Sequence, residues 1–575
     1  MIKKLYKPIC FLLLLAMCCS CGKGFLETKP QGALSEALLT NTQGVEAALI
    51  GAYGIMNGNI NGTWGNYSSG PSQWLFGEVA ADNAHKGSNG PDQSPMNDIE
   101  LHNVNSSNDN LPVMWRVYYE GITRCNTTLR LLAAVQGGGS DKFSEERATQ
   151  IAAEAKMLRG HYYFFLARLF KNIPYVDENM TTQDATKVPN DKSVYPMIEA
   201  DFKAAMAGLP QDYSKPLGEV GRVDKYAAEA YLGKLYLYQK KYAEALILFK
   251  DVITKKAALT SLDFNANFNI KGKNGAEGIL VSQSKINADG SGDNANVGDM
   301  LAGLYGNSPG GCCGFYQPSV DLVNAFKVDA NGLPFLDGTY RNNPYKSDQG
   351  LSGPALDNYQ LDVSLVFDPR LDYTVGRRQV RYRDWGVLVP GWIRDQPFGG
   401  PFVAVKQSIN QADFSGNVAN GANYLNAQNV NIIRLSDVYL MAAECAVETN
   451  DLDAAKTWVN LVRTRAATLA PVLTGSGQPA AVYKIGTYPS FPSQDYARKA
   501  VRFERRLELA LEGHRYYDLV RWGIAKDVLE SYKDFEKQYV SASQPAGFTY
   551  PDWDKGMLIP REQIDRAQGV LRQNQ

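Results

Sequence analysis

The sequence predicts a mainly α protein in which helical repeats carry a large, loop-rich insertion with a few short strands. Three observations support this. Apolar residues recur at helical spacing over residues 111–170, 223–253 and 434–466. Between the last two blocks, over about residues 255–430, Gly, Asn, Asp and Pro dominate, as in "NADGSGDNANVGD" and "SGNVANGANY". The composition, 44% hydrophobic and 21% charged, is that of a folded chain.

The first twenty residues stand apart. Lys3, Lys4 and Lys7 precede an apolar run, "ICFLLLLAMCC", from Ile9 to Cys19. Eleven residues are too few to span a bilayer, which takes about 20, but they suit the apolar core of a secretory signal. Ser20 and then Cys21 follow, with Gly22 next. A small residue directly before a cysteine at the end of such a run resembles the bacterial lipobox. Residues 1–20 are therefore expected to be removed and Cys21 to carry lipid. The other reading is an ordinary secreted protein.

Residues 21–40 read as a tether. From about Thr42 the spacing of Val45, Leu49, Ala52 and Tyr53 predicts a helix. Residues 57–110 are rich in Gly, Asn, Ser and Asp and read as long loops, although they hold Trp64, Tyr67, Trp74 and Phe76. Trp115, Tyr118, Ile122, Cys125, Leu129 and Leu132 then mark an amphipathic helix ended by Gly137, Gly138 and Gly139. A second long helix runs over 144–170, before Pro174. Residues 223–253 form a helical hairpin, with Ala228 and Gly233 at a close approach and Tyr236, Tyr242, Ala245 and Phe249 in the seam. This resembles a tetratricopeptide-like unit, and 434–466 resembles another, its turn "TNDLD" supplying an N-cap. Within the insertion, "GILVSQ" and "YTVGR" read as isolated strands.

Near the C-terminus, "ERRLELALEGHRYYDLVRWG" concentrates acids and bases. Glu504, Glu508 and Glu512 recur at i, i+4 and i+8 along one line of a helix, with Arg502, Arg505, Arg506 and Arg515 near enough to neutralise them. Catalytic carboxylates need separated pKa values in an open cleft. Arginines beside these would keep all three ionised, so the segment reads as ion-paired scaffold.

The chain contains no G-x-S-x-G, H-E-x-x-H or P-loop motif. Its four histidines, His85, His102, His161 and His514, are scattered, and no Cys-x-x-Cys pair follows residue 21, so neither a metal nor a cofactor is expected. "KVDANGLPFLDG" lacks the full ligand spacing of a calcium loop and reads as a turn. Cys125 and Cys445 fall on apolar helix positions; the adjacent Cys312 and Cys313 are either thiols or a loop disulfide. A formal charge of −1, from 59 basic and 60 acidic residues, gives no footprint for nucleic acid.

Aromatic residues reach 11%, with 32 Tyr and 8 Trp. Three loop clusters stand out: Trp64, Tyr67 and Trp74; Tyr305, Phe315 and Tyr316; and Trp385, Trp392 and Phe398. Aromatic faces stack on the C–H faces of sugars while Asn, Asp and Arg bond the hydroxyls. The same rings could instead bury themselves to hold long loops.

Taken in order, "GFLETKPQG", "GVEAALIGAYGIM", "WRVYYEGITRCNTTL", "EAKMLRGHYYFFLARLFKNIPYV", "QPSVDLVNAF", "DPRLDYTV", "IIRLSDVYLMAAECA", "FERRLELALEGHRYYDLVRWG" and "LIPREQI" resemble the SusD/RagB family of outer-membrane lipoproteins. The resemblance covers nearly all of 21–575. It implies one domain, four tetratricopeptide-like units under an irregular binding face, and no catalysis. It implies a surface lipoprotein that captures glycan and passes it to a SusC-like TonB-dependent transporter. By this resemblance the ligand platform draws on Trp64, Tyr67, Trp74, Asn83, His85, Tyr305, Phe315 and Tyr316; Trp385 and Trp392 join them from the loop clusters. A peptide or other nutrient, or a helical-repeat adaptor for protein partners, are the alternatives.

Overall fold

A computed structural model describes residues 36–60, 66–138, 141–211, 219–540, 543–544, 547–551 and 553–574. Cys21 and Trp64 lie outside them, so the lipid anchor and that ring have no structural account.

The helices form a continuous stack. α1 (Thr42–Gly54) begins at Asn41, whose side chain accepts from Gly44 N. α2 (Asn110–Gly137) and α3 (Glu145–Phe170) follow, the latter capped by Ser144 accepting from Arg147 N. After α4 (Tyr195–Gly208) come the two expected hairpins, α5 (Lys225–Tyr238) with α6 (Tyr242–Lys255), and α7 (Leu435–Glu448) with α8 (Leu452–Ala466). Asp451 caps α8 by accepting from Ala454 N. Each helix packs on the next from α1 to α8, and α9 (Gln494–Glu508) closes on α7 and α8. At Gly233 a Cβ would press into the Phe249 ring, which is why the first hairpin seam needs glycine there.

The insertion leaves this stack without breaking it. α6 and α7 pack directly on one another although some 180 residues separate them. Beside them β2 (Gly278–Ser282) and β4 (Val430–Arg434) pair antiparallel and close the base of the insertion. The strand expected at "GILVSQ" is thus present. "YTVGR" yields only Val375–Gly376, because the residues before it form a short helical turn.

Residues 66–110 are not the open loops that their composition suggests. They contain a π-helical segment at Trp74–Val79, the strand β1 (Ala84–Gly87) and a helix at Pro95–Glu100, most of it buried. β1 pairs antiparallel with β3 (Phe315–Pro318). From Glu78 to Ser88 the polar residues are internal: Glu78, Asp82, Asn83 and His85 meet buried partners rather than water.

The signature segment is central to that internal charge system. Glu504, Glu508 and Glu512 are ion-paired, as expected, but by other arginines. Arg370 binds Glu504 at 2.7 Å and Glu508 at 3.0 Å; Arg463 binds Glu504 at 2.7 Å. Arg434 binds Glu508 at 2.6 Å and Glu512 at 2.7 Å, Arg465 also binds Glu508, and Lys406 reaches Glu512 at 2.6 Å. The arginines within the segment turn elsewhere: Arg505 to Asp437 and Asp518, Arg506 to Asp321 and Asp82, Arg515 to Asp82. Surrounding guanidinium groups hold the Glu508 and Glu512 carboxyls below the usual range against the opposing effect of burial. Nor do the three glutamates lie on one helix. α9 ends at Glu508, and the chain turns through Leu511 and Gly513, both with positive φ. α10 (Arg515–Trp522) and α11 (Ala525–Glu536) follow.

Candidate functional site

Five of the expected platform residues are buried and structural. Trp74 is 1% exposed; its Nε1 donates to the carbonyls of Tyr67 (2.9 Å) and Gly298 (3.2 Å), and its ring meets those of Phe315 and Tyr316 at 6.3 and 5.7 Å. Phe315 and Tyr316 are buried with it. Asn83 donates to Glu78 (2.8 Å) and accepts from Arg506 Nε (2.9 Å). His85 sits between Glu100 (2.8 Å) and Glu536 (2.9 Å), and those carboxylates raise its pKa to about 9 in spite of complete burial. These side chains sit where the early segment crosses the core, so a ligand at the surface does not reach them. Tyr67 is half-buried against the main core.

The remaining three, Tyr305, Trp385 and Trp392, come together on the insertion. Their mount is a small apolar cluster of its own: Leu304, Tyr382, Leu388, Ile393, Val403 and Val405, with Trp385 and Trp392 packed on it. Each ring is fixed. Trp385 Nε1 donates to Ile409 O at 2.8 Å, and its edge meets Phe414 at 5.3 Å and 80°. Trp392 meets Tyr382 edge-on at 5.9 Å, while its carbonyl accepts from Tyr305 N at 3.1 Å. The Arg394 guanidinium lies 5.2 Å from the Tyr305 ring centre. Arg394 also bonds Ser88 Oγ (2.9 Å) and pairs with Asp92, tying this face to the turn after β1. Asp384 accepts from Gln411 N (2.6 Å) and Ala412 N (3.0 Å), joining the Trp385 loop to the Phe414 loop.

Between these loops opens a groove of about 740 Å³. Trp385, Trp392 and Phe414 supply its aromatic walls; Asn307, Ser308, Gln411, Ser415 and Asn423 supply its polar groups. None of the lining side chains titrates near neutral pH. The groove can stack a flat, weakly polar body and bond its hydroxyls or amides; its own lining offers no general acid or base. Inward it continues past Trp385 and Asn423 to a recess beside Gln407, Ser408 and Tyr424. Phe414 and Asn423 were not anticipated: Phe414 is one aromatic residue inside a Gly- and Asn-rich stretch, with no second ring nearby in sequence to draw attention to it.

Cys312 and Cys313 are disulfide-bonded to each other in the loop that carries Asn307 and Ser308, and Cys313 N and Gly314 N both donate to Gly303 O (2.9 and 2.8 Å). Cys125 and Cys445 are free and buried.

The family model described as "SusD family" matches residues 400–574, and the one described as "Starch-binding associating with outer membrane" matches residues 25–237. Together they cover more than half of the chain, the first of them including the end of the insertion. The chain belongs to the SusD/RagB family. SusD-like protein P25 of Formosa agariphila is 24% identical over 92% of this chain and 92% of its own length. SusD-like protein P2 of the same organism is 26% identical over 91% and 92%. Among solved structures, a laminarin-binding SusD-like protein superposes with a TM-score of 0.64 at 23% identity, over 93% of this chain and 99% of that one. The surface glycan-binding protein A of Bacteroides thetaiotaomicron, in complex with laminarihexaose, gives 0.64 at 20% identity over 93% and 99%. These likenesses establish a SusD-like fold, helical repeats with an irregular face.

Proposed function

We propose that this SusD-like protein is a non-catalytic glycan-binding lipoprotein of the outer-membrane surface. It is anchored through Cys21 and delivers captured oligosaccharide to a SusC-like TonB-dependent transporter. The observation behind the binding role is the groove whose walls are Trp385, Trp392 and Phe414 and whose polar groups are amides and hydroxyls. Stacking of sugar faces on rings held edge-on by their neighbours needs no reorganisation, and each ring contributes about 1 kcal/mol by analogy with aromatic pairs. Two or three such contacts correspond to weak binding, with Kd roughly between tens of micromolar and millimolar. Relatives that bind laminarin and laminarihexaose make a β-glucan the first ligand to try. The proposed anchor and the family resemblance support handover to a transporter, which would have to supply the energy that the groove lacks.

The test is affinity electrophoresis of residues 22–575 through gels containing laminarin and a panel of plant, host and microbial polysaccharides. Retardation by at least one, reduced in Trp385→Ala and Trp392→Ala but kept in Trp458→Ala on the helical stack, is the expected result. Retardation that the two groove variants leave unchanged would place the site elsewhere. Surface display is checked on intact cells: protease should remove the wild-type protein, and Cys21→Ala should release it from the membrane fraction.

A further inference from the structure

Away from the groove, a second concavity of about 440 Å³ opens between α9, α10 and the loop at 336–341. Its floor is basic. Arg506 binds Asp321 (2.7 Å) and Asp82 (3.1 Å); Arg515 binds Asp82 (2.7 Å); Arg341 binds Asp321 (2.6 Å). Three guanidinium groups thus share two carboxylates. Asp527 stands exposed at the mouth, and Lys499 at the rim pairs with exposed Asp495. Arg502 is different. Its guanidinium lies 4.9 Å from the centre of the Trp522 ring, and its Nε–H is buried without an acceptor among the described residues. Arg502 makes no ion pair there either. A guanidinium with no carboxylate partner, positioned at a pocket wall, presents a fork of N–H groups that suits a carboxylate. The rest of the wall is mainly apolar, from Leu336, Phe503, Ile524 and Val528. Such a wall gives nothing to a bare inorganic ion but fits an anion carried on a compact ring or apolar body.

We propose that this pocket is a second ligand site, taking a small organic carboxylate held by the unpaired Arg502 guanidinium while its body lies on Phe503, Ile524 and Val528. It is independent of the aromatic groove and of what the groove binds. The same chemistry has two sources, a free organic acid or an acidic sugar residue, and the probes separate them.

Saturation-transfer NMR on residues 22–575 would use phenylacetate and glucuronate, with phenylacetamide, glucose and inorganic phosphate as controls; the neutral probes are read with Trp385→Ala and Trp392→Ala combined, so that sugar stacking in the groove does not contribute. The expected result is transfer to at least one acid at millimolar concentration, none to its neutral counterpart in the groove variant, and no displacement of the acid by equimolar phosphate. Arg502→Gln should weaken that acid at least tenfold, and Trp385→Ala should leave it unchanged. Arg502→Lys keeps the charge over Trp522 but lacks the planar guanidinium fork, and should also weaken it; it serves as the readout if Arg502→Gln does not fold. Phenylacetate alone would indicate a free acid as the natural ligand, glucuronate a sugar acid, and either supports the site. Absence of transfer to both acids, equal transfer to the neutral probes, displacement by equimolar phosphate, or full binding by both Arg502 variants would overturn the proposal.

Discussion

Glu508→Gln tests whether the signature segment holds the fold through its charges. Glu508 is fully buried and takes hydrogen bonds from Arg434 (2.6 Å), Arg370 (3.0 Å) and Arg465. The amide keeps the shape but removes the charge that three guanidinium groups share. Removing one member of a buried ion-pair system costs about 3–5 kcal/mol, because the opposite charges stay buried. The other carboxylates near these arginines, Asp368, Glu504, Glu277 and Glu512, keep the cost inside that range rather than above it. A chain of this length unfolding as one unit has an entropy of roughly 1.2 kcal/mol/K near its midpoint, so the variant should melt about 3–4 °C lower. Differential scanning calorimetry of wild type and variant measures this directly. Asp453→Asn is the control: its partner Lys456 is 3.1 Å away but the aspartate is 95% exposed, so no shift is expected. The sign with pH is fixed by the lowered pKa of Glu508. Its stabilisation is complete above the unfolded value of about 4.3 and fades as pH falls toward the folded one, so the gap between wild type and variant should narrow only in acid. A variant that melts with wild type at pH 7, or a gap that widens on acidification, would refute the reasoning.

Three further outcomes follow from the same geometry. Trp74→Ala should cost about 3–5 kcal/mol in chemical denaturation, as for a fully buried ring, whereas Trp392→Ala should leave stability nearly unchanged and weaken glycan binding about fivefold. His85, with its pKa raised to about 9, contributes stability that is complete below about pH 6.5 and is lost as pH rises through 9; the stability difference between wild type and His85→Gln should therefore shrink between pH 7 and 10. Gly513→Ala should yield little folded protein, because φ is +80° there and the new Cβ would collide with the Ser72 carbonyl; recovery of wild-type yield and melting would contradict this.

The helices were legible because their apolar spacing is long and regular: α2, α3 and both hairpins appear within a few residues of their expected limits. The segment after Asn57 was not, because Glu78, Asp82, Asn83 and His85 are polar for internal reasons, and composition does not separate an internal polar residue from an external one. The same confusion placed Trp74, Phe315 and Tyr316 on a binding face. The partners of Glu504 and Glu508 were missed since pairing was sought nearby in sequence, while Arg370, Arg434, Arg463 and Arg465 arrive from 40 to 140 residues upstream. Arg434 alone gives a local signal, standing inside the apolar run of "IIRLSD". That Trp385 and Trp392 lie together at one groove was legible because two tryptophans within eight residues of loop are rare enough to notice.

The charge system also fixes when the molecule can become itself. Arg370, Arg434, Arg463 and Arg465 are all made before Glu504, Glu508 and Glu512, so a nascent chain carries four cations destined for the interior and lacks three of the anions that will receive them. Until that late segment arrives, closing the core around those cations is unfavourable. Shortened products ending before it would stay open and be cleared by proteases, so that surviving copies are those whose synthesis ran past Glu508.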